Sequence, residues 1–308
     1  MAGKGGVGKM AGAKEMYALI RGMSIAEIED AVKEPPLVLV VSREPQIEDL
    51  VSVITGVRGT PSLTFTSPDK LPKSLEPYTL VIVHNGATNA DYMTVRDLAG
   101  VYSHRVFDIG SAEDPRAIPA LQQRITDSMP EDAIALGRWY PALRPYAAKS
   151  VINDTSRVNA QFALVSAAPT MIPVLGELAA VGADLIVLTR NQLYMAIKLA
   201  AIYGKPLNNR WDILRDILPV IGGGFMWRTI AREAAAILPF AAGTIPKVAI
   251  AYAGTAATGK AIEAYYRYGV QTSKDQLTGY FKTALNTARS RFPGQQALPE
   301  KLPSAPPG

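Results

Sequence analysis

Two aliphatic runs of strand length constrain the fold of this chain most. Residues 37–41 read Leu-Val-Leu-Val-Val, and residues 79–83 read Thr-Leu-Val-Ile-Val. Because neither run alternates apolar and polar residues, both faces of each strand must be covered by other parts of the chain. Strands covered on both faces are typical of a parallel sheet with helices packed on either side.

Shorter patterns around these two runs complete an α/β domain. Five further segments carry helix or strand patterns: residues 47–54, 63–66, 92–99, 105–109 and 117–129. The first of these ends at Gly56, which is placed to cap a helix. Strands that alternate with helices imply right-handed crossovers. We therefore predict a small, mostly parallel, three-layer sheet domain over residues 16–130, preceded by a flexible glycine-rich start at residues 1–15.

The composition becomes strongly apolar in the second half of the chain. Residues 158–176 contain no Asp, Glu, Lys, Arg or His, and among these types residues 234–252 contain only Lys247. A transmembrane helix needs about 20 consecutive, mostly apolar residues. We predict an all-α, apolar helical domain over residues 131–292 that associates with a membrane, and a disordered Pro-rich tail at residues 293–308. The same stretches could instead form a helical bundle or hairpin in a soluble protein, and both alternatives stay open.

Short ordered motifs in this half carry a family resemblance. Residues 183–192 read Ala-Asp-Leu-Ile-Val-Leu-Thr-Arg-Asn-Gln, and residues 245–259 run from Ile-Pro to Thr-Gly. Residues 158–270 resemble the family known as domain of unknown function 697, whose members are often attached to Era-like GTPases. The resemblance implies a membrane-linked helical module and no settled activity.

A GTPase partner for that module would have to be the α/β domain. Phosphate binding needs a glycine-rich loop that ends in Gly-Lys-Ser/Thr directly after the first strand. Residues 42–49 read Ser-Arg-Glu-Pro-Gln-Ile-Glu-Asp instead, and residues 108–111 replace the base-reading Asn-Lys-x-Asp signature. The domain is therefore either a degenerate GTPase-like fold or an unrelated α/β domain of Rossmann type.

The sharpest nucleotide motif lies at the start of the chain. Residues 3–9 read Gly-Lys-Gly-Gly-Val-Gly-Lys and resemble the deviant phosphate loop of the MinD and ParA ATPases, with Lys4 and Lys9 at the two lysine positions. Met10 replaces the Ser or Thr that would bind magnesium, and no strand precedes the loop. A flexible glycine segment is the alternative. If GTP or ATP binds, the candidate residues are Gly5, Gly6, Gly8 and Lys9; we expect no other cofactor and no metal.

Two polar clusters accompany the apolar half. Arg138, Trp139, Tyr140 and Arg144 suit a belt at lipid headgroups, or equally the core of a domain junction. Spacings of seven and eight residues place Asp184, Asn191 and Gln192 on one helix face. They predict a polar seam between helices or an oligomer interface, or ordinary hydrogen bonds that fix helix register.

The α/β domain offers histidines and acids at its strand ends. His84 and His104 lie near strand ends, with Asp91 and Asp108 as the nearby acids. We expect solvated or hydrogen-bonded histidines, but ends of parallel strands gather ligands, so His84, Asn85 and Asp108 mark the first place to look for a site.

Composition limits the remaining function classes. The chain has no cysteine and a net charge of +5, with basic residues scattered rather than arranged in a stripe for nucleic acid. We recognise no catalytic residue. We therefore expect a non-catalytic scaffold or regulatory protein, homo-oligomeric, on the cytoplasmic side of a membrane. The alternative is a divergent GTPase or ATPase switch coupled to the helical domain.

Overall fold

A computed structural model describes most of the chain outside its two ends. The described residues are 20–44, 46–84, 89–109, 116–166, 181–221 and 244–291. They divide into two compact units. The first comprises Met1–Val151 and Leu193–Arg215, and the second comprises Ile152–Gln192 and Asp216–Gly308.

The first unit is built on a parallel sheet. Its strands are β1 (Val38–Val41), β2 (Leu63–Thr66), β3 (Leu80–Val83) and β4 (Val106–Asp108), in the order β2-β1-β3-β4. Every pairing is parallel, with Val38 opposite both Leu63 and Leu80. The prediction of an α/β fold with a small parallel sheet is confirmed, and the sheet is wholly rather than mostly parallel.

The helices in the described parts of the chain are, in order, α1 (Ala26–Ala31), α2 (Glu48–Thr55), α3 (Asn89–Ala99), α4 (Ala117–Ser128), α5 (Ala133–Trp139), α6 (Arg144–Ser166), α7 (Val181–Ile202), α8 (Arg210–Ile221), α9 (Thr244–Tyr268) and α10 (Lys274–Arg291). Three short 3₁₀ turns add Pro68–Lys70, Gly100–Arg105 and Pro141–Leu143. An α/β part with additional helices is the fold class that the sequence predicts. Its finer features, three layers and an apolar bundle, stay predictions.

Both faces of the sheet are buried under apolar side chains. On one face, Val38, Val40, Leu80 and Ile82 share a core with residues of α2 and α4. On the other face, Leu39, Val41, Val81 and Val83 pack with Val95 and Ala99 of α3. Each buried aliphatic side chain of this size contributes about 1.5–3 kcal/mol by leaving water. This burial on both faces explains why β1 and β3 are unbroken aliphatic runs in the sequence.

The first unit extends beyond the boundary that we predicted at residue 130. Helix α5, the following 3₁₀ turn and the start of α6 belong to it, as does the end of α7. Leu136, Tyr140 and Leu143 are buried in the same core as β1 and β3. Packing on the sheet core thus continues past residue 130, and the domain boundaries given from the sequence stay predictions.

The second unit is helical in its described residues. Helices α9 and α10 pack against each other, and Leu277, Phe281 and Leu285 of α10 are buried. The left-handed Gly269, with a φ of 69°, follows α9 in the link to α10. None of the described helices contains a stretch that is both long and apolar enough to span a bilayer.

Gly56 ends α2 as the sequence predicts, and its replacement should destabilise the first unit. Its φ is 81°, its N–H donates to the Ser52 carbonyl, and an added Cβ would lie 2.6 Å from the Ala142 nitrogen. We expect Gly56→Ala to lower the free energy of unfolding by about 3 kcal/mol, from left-handed strain together with the clash.

Gly59→Ala is the matched control for this prediction. Gly59 is also left-handed, with a φ of 57°, but nothing lies within 4 Å of an added Cβ. Its replacement should cost only about 1 kcal/mol. Urea unfolding of the full chain, followed by circular dichroism, measures both variants, and equal losses would contradict the packing argument.

Candidate functional site

The topological switch point of the sheet lies between β1 and β3. The chain leaves β1 for β2 on one side, and later passes back to β3 on the other side. Ligands of open parallel sheets bind at such a point, outside the carboxyl ends of the strands. Ser42 follows β1 and His84 follows β3, and Ser42 Oγ lies 3.2 Å from His84 Nδ1. The sequence prediction of a ligand-gathering edge at His84 thus corresponds to this switch point.

The Ser42 hydroxyl is engaged in a tight turn. It is 8% exposed, and it accepts a hydrogen bond of 2.9 Å from the Glu44 N–H. The Ser42 hydroxyl can donate its own hydrogen bond either to the Glu44 carbonyl oxygen at 3.2 Å or to Nδ1 of His84. Glu44 Oε2 lies 4.0 Å from the same Nδ1 of His84. Because no described acid contacts the opposite ring nitrogen, the described residues do not form a serine–histidine–acid relay.

Arg43, which lies between Ser42 and Glu44, pairs with two acids at the carboxyl edge of the sheet. Arg43 donates from Nε and Nη2 to the two carboxylate oxygens of Asp91, both at 2.8 Å. Its Nη1 donates to Asp69 Oδ2 at 3.2 Å. The hydrogen bonds from Arg43 lower the pKa of Asp91, and the two acids raise the pKa of Arg43. The cation of this loop is thereby balanced by the protein's own carboxylates.

The other residues predicted at the strand ends take separate positions. Asp108 ends β4, and its backbone oxygen accepts a 2.8 Å bond from Arg124. His104 is exposed, and its Nδ1 lies 3.3 Å from the Val101 oxygen. Asn85 lies outside the described residues. Within the described parts of the chain, no group of three or more acids and histidines is arranged to hold a metal ion.

The four predicted belt side chains all donate hydrogen bonds within the first unit. Arg138 Nη1 donates to two carbonyls at and just beyond the end of α7, at 3.1 and 3.0 Å. Trp139 Nε1 donates to the Val32 carbonyl at 3.1 Å, and Arg144 Nε donates to a carbonyl of α5 at 3.3 Å. Tyr140 is 1% exposed, so its ring belongs to the core and not to a surface belt.

A buried polar cluster connects three helices of the second unit. Asn191 Nδ2 of α7 donates to Asn159 Oδ1 of α6 at 2.7 Å. Asn159 Nδ2 donates to Thr255 Oγ1 of α9 at 2.9 Å, and Gln192 Nε2 donates to the same hydroxyl at 3.4 Å. Thr255 in turn donates to the Ala251 carbonyl at 2.8 Å. We call these four side chains (Asn159, Asn191, Gln192 and Thr255) the amide cluster.

The amide cluster contains two of the three residues predicted as a polar seam. Asn191 and Gln192 lie in it, whereas the side chain of Asp184 is outside the described residues. Asn159 and Thr255, which the sequence reasoning missed, are fully or almost fully buried. Their signal in the sequence was weak, because other polar residues lie close by: Arg157 and Gln161 flank Asn159, and Thr258 follows Thr255.

The candidate nucleotide loop and the family resemblances gain no support. Gly5, Gly6, Gly8 and Lys9 lie outside the described residues. Comparison of the chain with family models, curated proteins and solved structures found no match. No family is shown. The likenesses to the numbered helical family and to the MinD and ParA loop therefore stay predictions from short motifs.

Arg43→Gln should raise the pKa of Asp91 toward its ordinary value, because it removes the hydrogen bonds that lower that pKa. The stabilisation from the pair is present above the ordinary pKa of Asp91 and is lost as the pH falls through the lowered value. Carboxyl ¹³C shifts of Asp91, followed by NMR in the full chain and in the variant, measure the change. An identical titration curve in both proteins would show that the ion pair is not formed in solution.

Thr255→Val should destabilise the second unit, because it leaves the buried amides of Asn159 and Gln192 without their acceptor. The expected loss is about 2 kcal/mol or more. Thr258→Val is the control: this threonine is also buried on α9, but its hydroxyl donates to the carbonyl of Gly254 on its own helix. Thermal unfolding measures both, and a loss in Thr258→Val that equals the loss in Thr255→Val would contradict the role of the cluster.

Proposed function

We propose that the chain is a non-catalytic scaffold or regulatory protein, associated with the cytoplasmic side of a membrane through its helical domain. Its α/β domain, with three layers, is a degenerate relative of nucleotide-binding domains. The observation that carries the proposal is the pairing of Arg43 with Asp69 and Asp91 at the switch point. At the position where a sheet of this topology binds a ligand, Arg43 is paired with the carboxylates of Asp69 and Asp91 instead.

The loop after β1 is a poor phosphate site for two physical reasons. Phosphate loops present several backbone N–H groups and a cation to the anion. Residues 42–44 contain no glycine, and the Glu44 N–H is used by the Ser42 hydroxyl. The one cation of this loop is engaged on both sides by carboxylates, and Glu44 adds a negative charge. A phosphate would have to displace a bidentate acid to reach Arg43.

Membrane association is supported by exposed apolar side chains on α6. Val158 is 43% exposed and Val165 is 73% exposed; seven residues apart on a helix, they lie on one face. Both valines belong to residues 158–176, a stretch of the sequence that contains no ionisable side chain. Gln161 is exposed on the same face, so the apolar surface is not continuous, but the two valines gain by burial against lipid or a second copy of the chain. The apolar helical bundle and a homo-oligomer are part of the proposal.

A nucleotide-dependent switch is the second candidate. Two observations favour it: the run Gly3–Lys9, with lysines at both ends of the glycine segment, and the doubly wound strand order of the sheet. In this version the phosphates contact the N-terminal loop rather than the loop after β1, and Lys9 supplies the charge.

Flotation with vesicles tests the first candidate. We expect the full chain to float with vesicles of phosphatidylcholine and phosphatidylglycerol, and Val165→Asp to reduce the floated fraction several-fold, because a charge at this face opposes burial in lipid. Val101→Asp is the matched control, since Val101 is 83% exposed in the first unit. A chain that stays monomeric and never floats would refute membrane association.

Titration with fluorescent ATP and GTP analogues separates the two candidates. The scaffold proposal expects no saturable signal from the full chain and no effect of Lys9→Ala. Binding that is lost in Lys9→Ala, and kept in Lys14→Ala as a control outside the loop, would replace the scaffold with the nucleotide switch.

A further inference from the structure

A cavity lies beside the switch point, between the ends of β1 and β2 and the start of α2. Its volume is 230 Å³, and its lining includes Ser42, Glu44, Ile47, Glu48, Phe65 and Thr66. Liquid water occupies about 30 Å³ per molecule, so the cavity has room for roughly seven waters or a small organic molecule. Nothing in the proposed scaffold function uses this space.

The lining contains both polar and apolar residues. Glu44 and Glu48 carry carboxylates, and Ser42 and Thr66, which carry hydroxyl groups, lie at the ends of neighbouring parallel strands. The Thr66 hydroxyl donates to the Lys70 carbonyl at 2.8 Å. Ile47 and Phe65, which is 38% exposed, are apolar members of the lining. A ligand that matches this mixed lining carries a polar head and a short apolar body.

The charges around the cavity decide the sign of that head. The N-terminus of α2 would favour an anion through roughly half a positive charge. Two carboxylates in the lining outweigh that partial charge. The nearest arginine, Arg43, is bound to Asp69 and Asp91. His84, whose Nδ1 is 4.0 Å from Glu44 Oε2, adds at most one positive charge.

We propose that this cavity binds a small primary amine with an aromatic or aliphatic body. The ammonium group donates to the carboxylates of Glu44 and Glu48, and the body packs against Phe65 and Ile47. A cation near the face of an aromatic ring gains further attraction. This ligand goes beyond the scaffold function and does not depend on membrane association, because every residue involved belongs to the first unit.

Calorimetry with benzylamine and the full chain tests the assignment. Benzyl alcohol has the same size and no charge, so it serves as the neutral probe. We expect benzylamine to bind with a dissociation constant of about 1 mM, as its few atoms allow, and benzyl alcohol to bind at least about tenfold more weakly. Shifts of the Phe65 and Thr66 amide resonances report the location of binding.

Charge-removing variants locate the ammonium group. Glu48→Gln and Glu44→Gln should each weaken benzylamine binding roughly three- to fivefold, the range of partly exposed ion pairs. Asp49→Asn is the matched control: Asp49 follows Glu48 in the same helical turn, but it is paired with Arg58 at 2.9 Å and does not line the cavity. Circular dichroism checks that each variant is folded.

Three results would overturn the proposal. Benzyl alcohol that binds as tightly as benzylamine would show that charge plays no part. Equal weakening by Asp49→Asn and the two glutamate variants would show a general effect of net charge. Absence of heat and of resonance shifts at tens of millimolar benzylamine would show that the cavity takes no amine. None of these results bears on flotation with vesicles, so the two proposals fail separately.

Discussion

The first unit depends on the complete burial of its two central strands. All residues of β1 and β3 are at most 1% exposed, so apolar cover is needed above and below the sheet. A chain that returns to the sheet with right-handed crossovers can cover both faces only if it moves outward in both directions from β1. That requirement creates the switch point, and it brings Ser42 and His84 to adjacent strand ends. The position of the candidate site thus follows from the burial of strands.

Arg43 gives that position its chemical character. Residues that follow a buried strand at a switch point commonly face a ligand, but here Arg43, the second residue after β1, contacts Asp69 and Asp91. The guanidinium joins three segments: the loop after β1, the 3₁₀ turn after β2 and helix α3. Since Arg43 is paired with these two acids, our amine proposal assigns the charge beside the pocket to the carboxylates of Glu44 and Glu48. An anion site in related topologies becomes, in our proposal, a cation site.

Local patterns in the sequence predict the strands and most helices of the first unit. They do not predict which residues far apart in the sequence form hydrogen bonds with each other. The aliphatic runs gave β1 and β3 within one residue, and Gly56 ended α2 where predicted. The partners of Arg43 lie 26 and 48 residues away, and the Tyr140 hydroxyl donates to a carbonyl 104 residues away. Tyr140 resembled an interfacial aromatic because composition shows that a ring is amphipathic, and not which core it enters.

In the part of α6 that belongs to the second unit, a buried amide lies close to exposed apolar side chains. Asn159 is completely buried, while its neighbour Val158 and the more distant Val165 are exposed. Amides buried among apolar side chains are tolerated when they are paired, and the Thr255 hydroxyl accepts two of them. The hydrogen bonds of the cluster connect α6, α7 and α9, although Gln192 Oε1 is buried without a partner among the described residues. Asp154 and Gln161 are also exposed on this face of α6, so Val158 and Val165 are apolar positions on a mixed surface. The proposed membrane association requires that lipid, or another copy of the chain, buries these two valines.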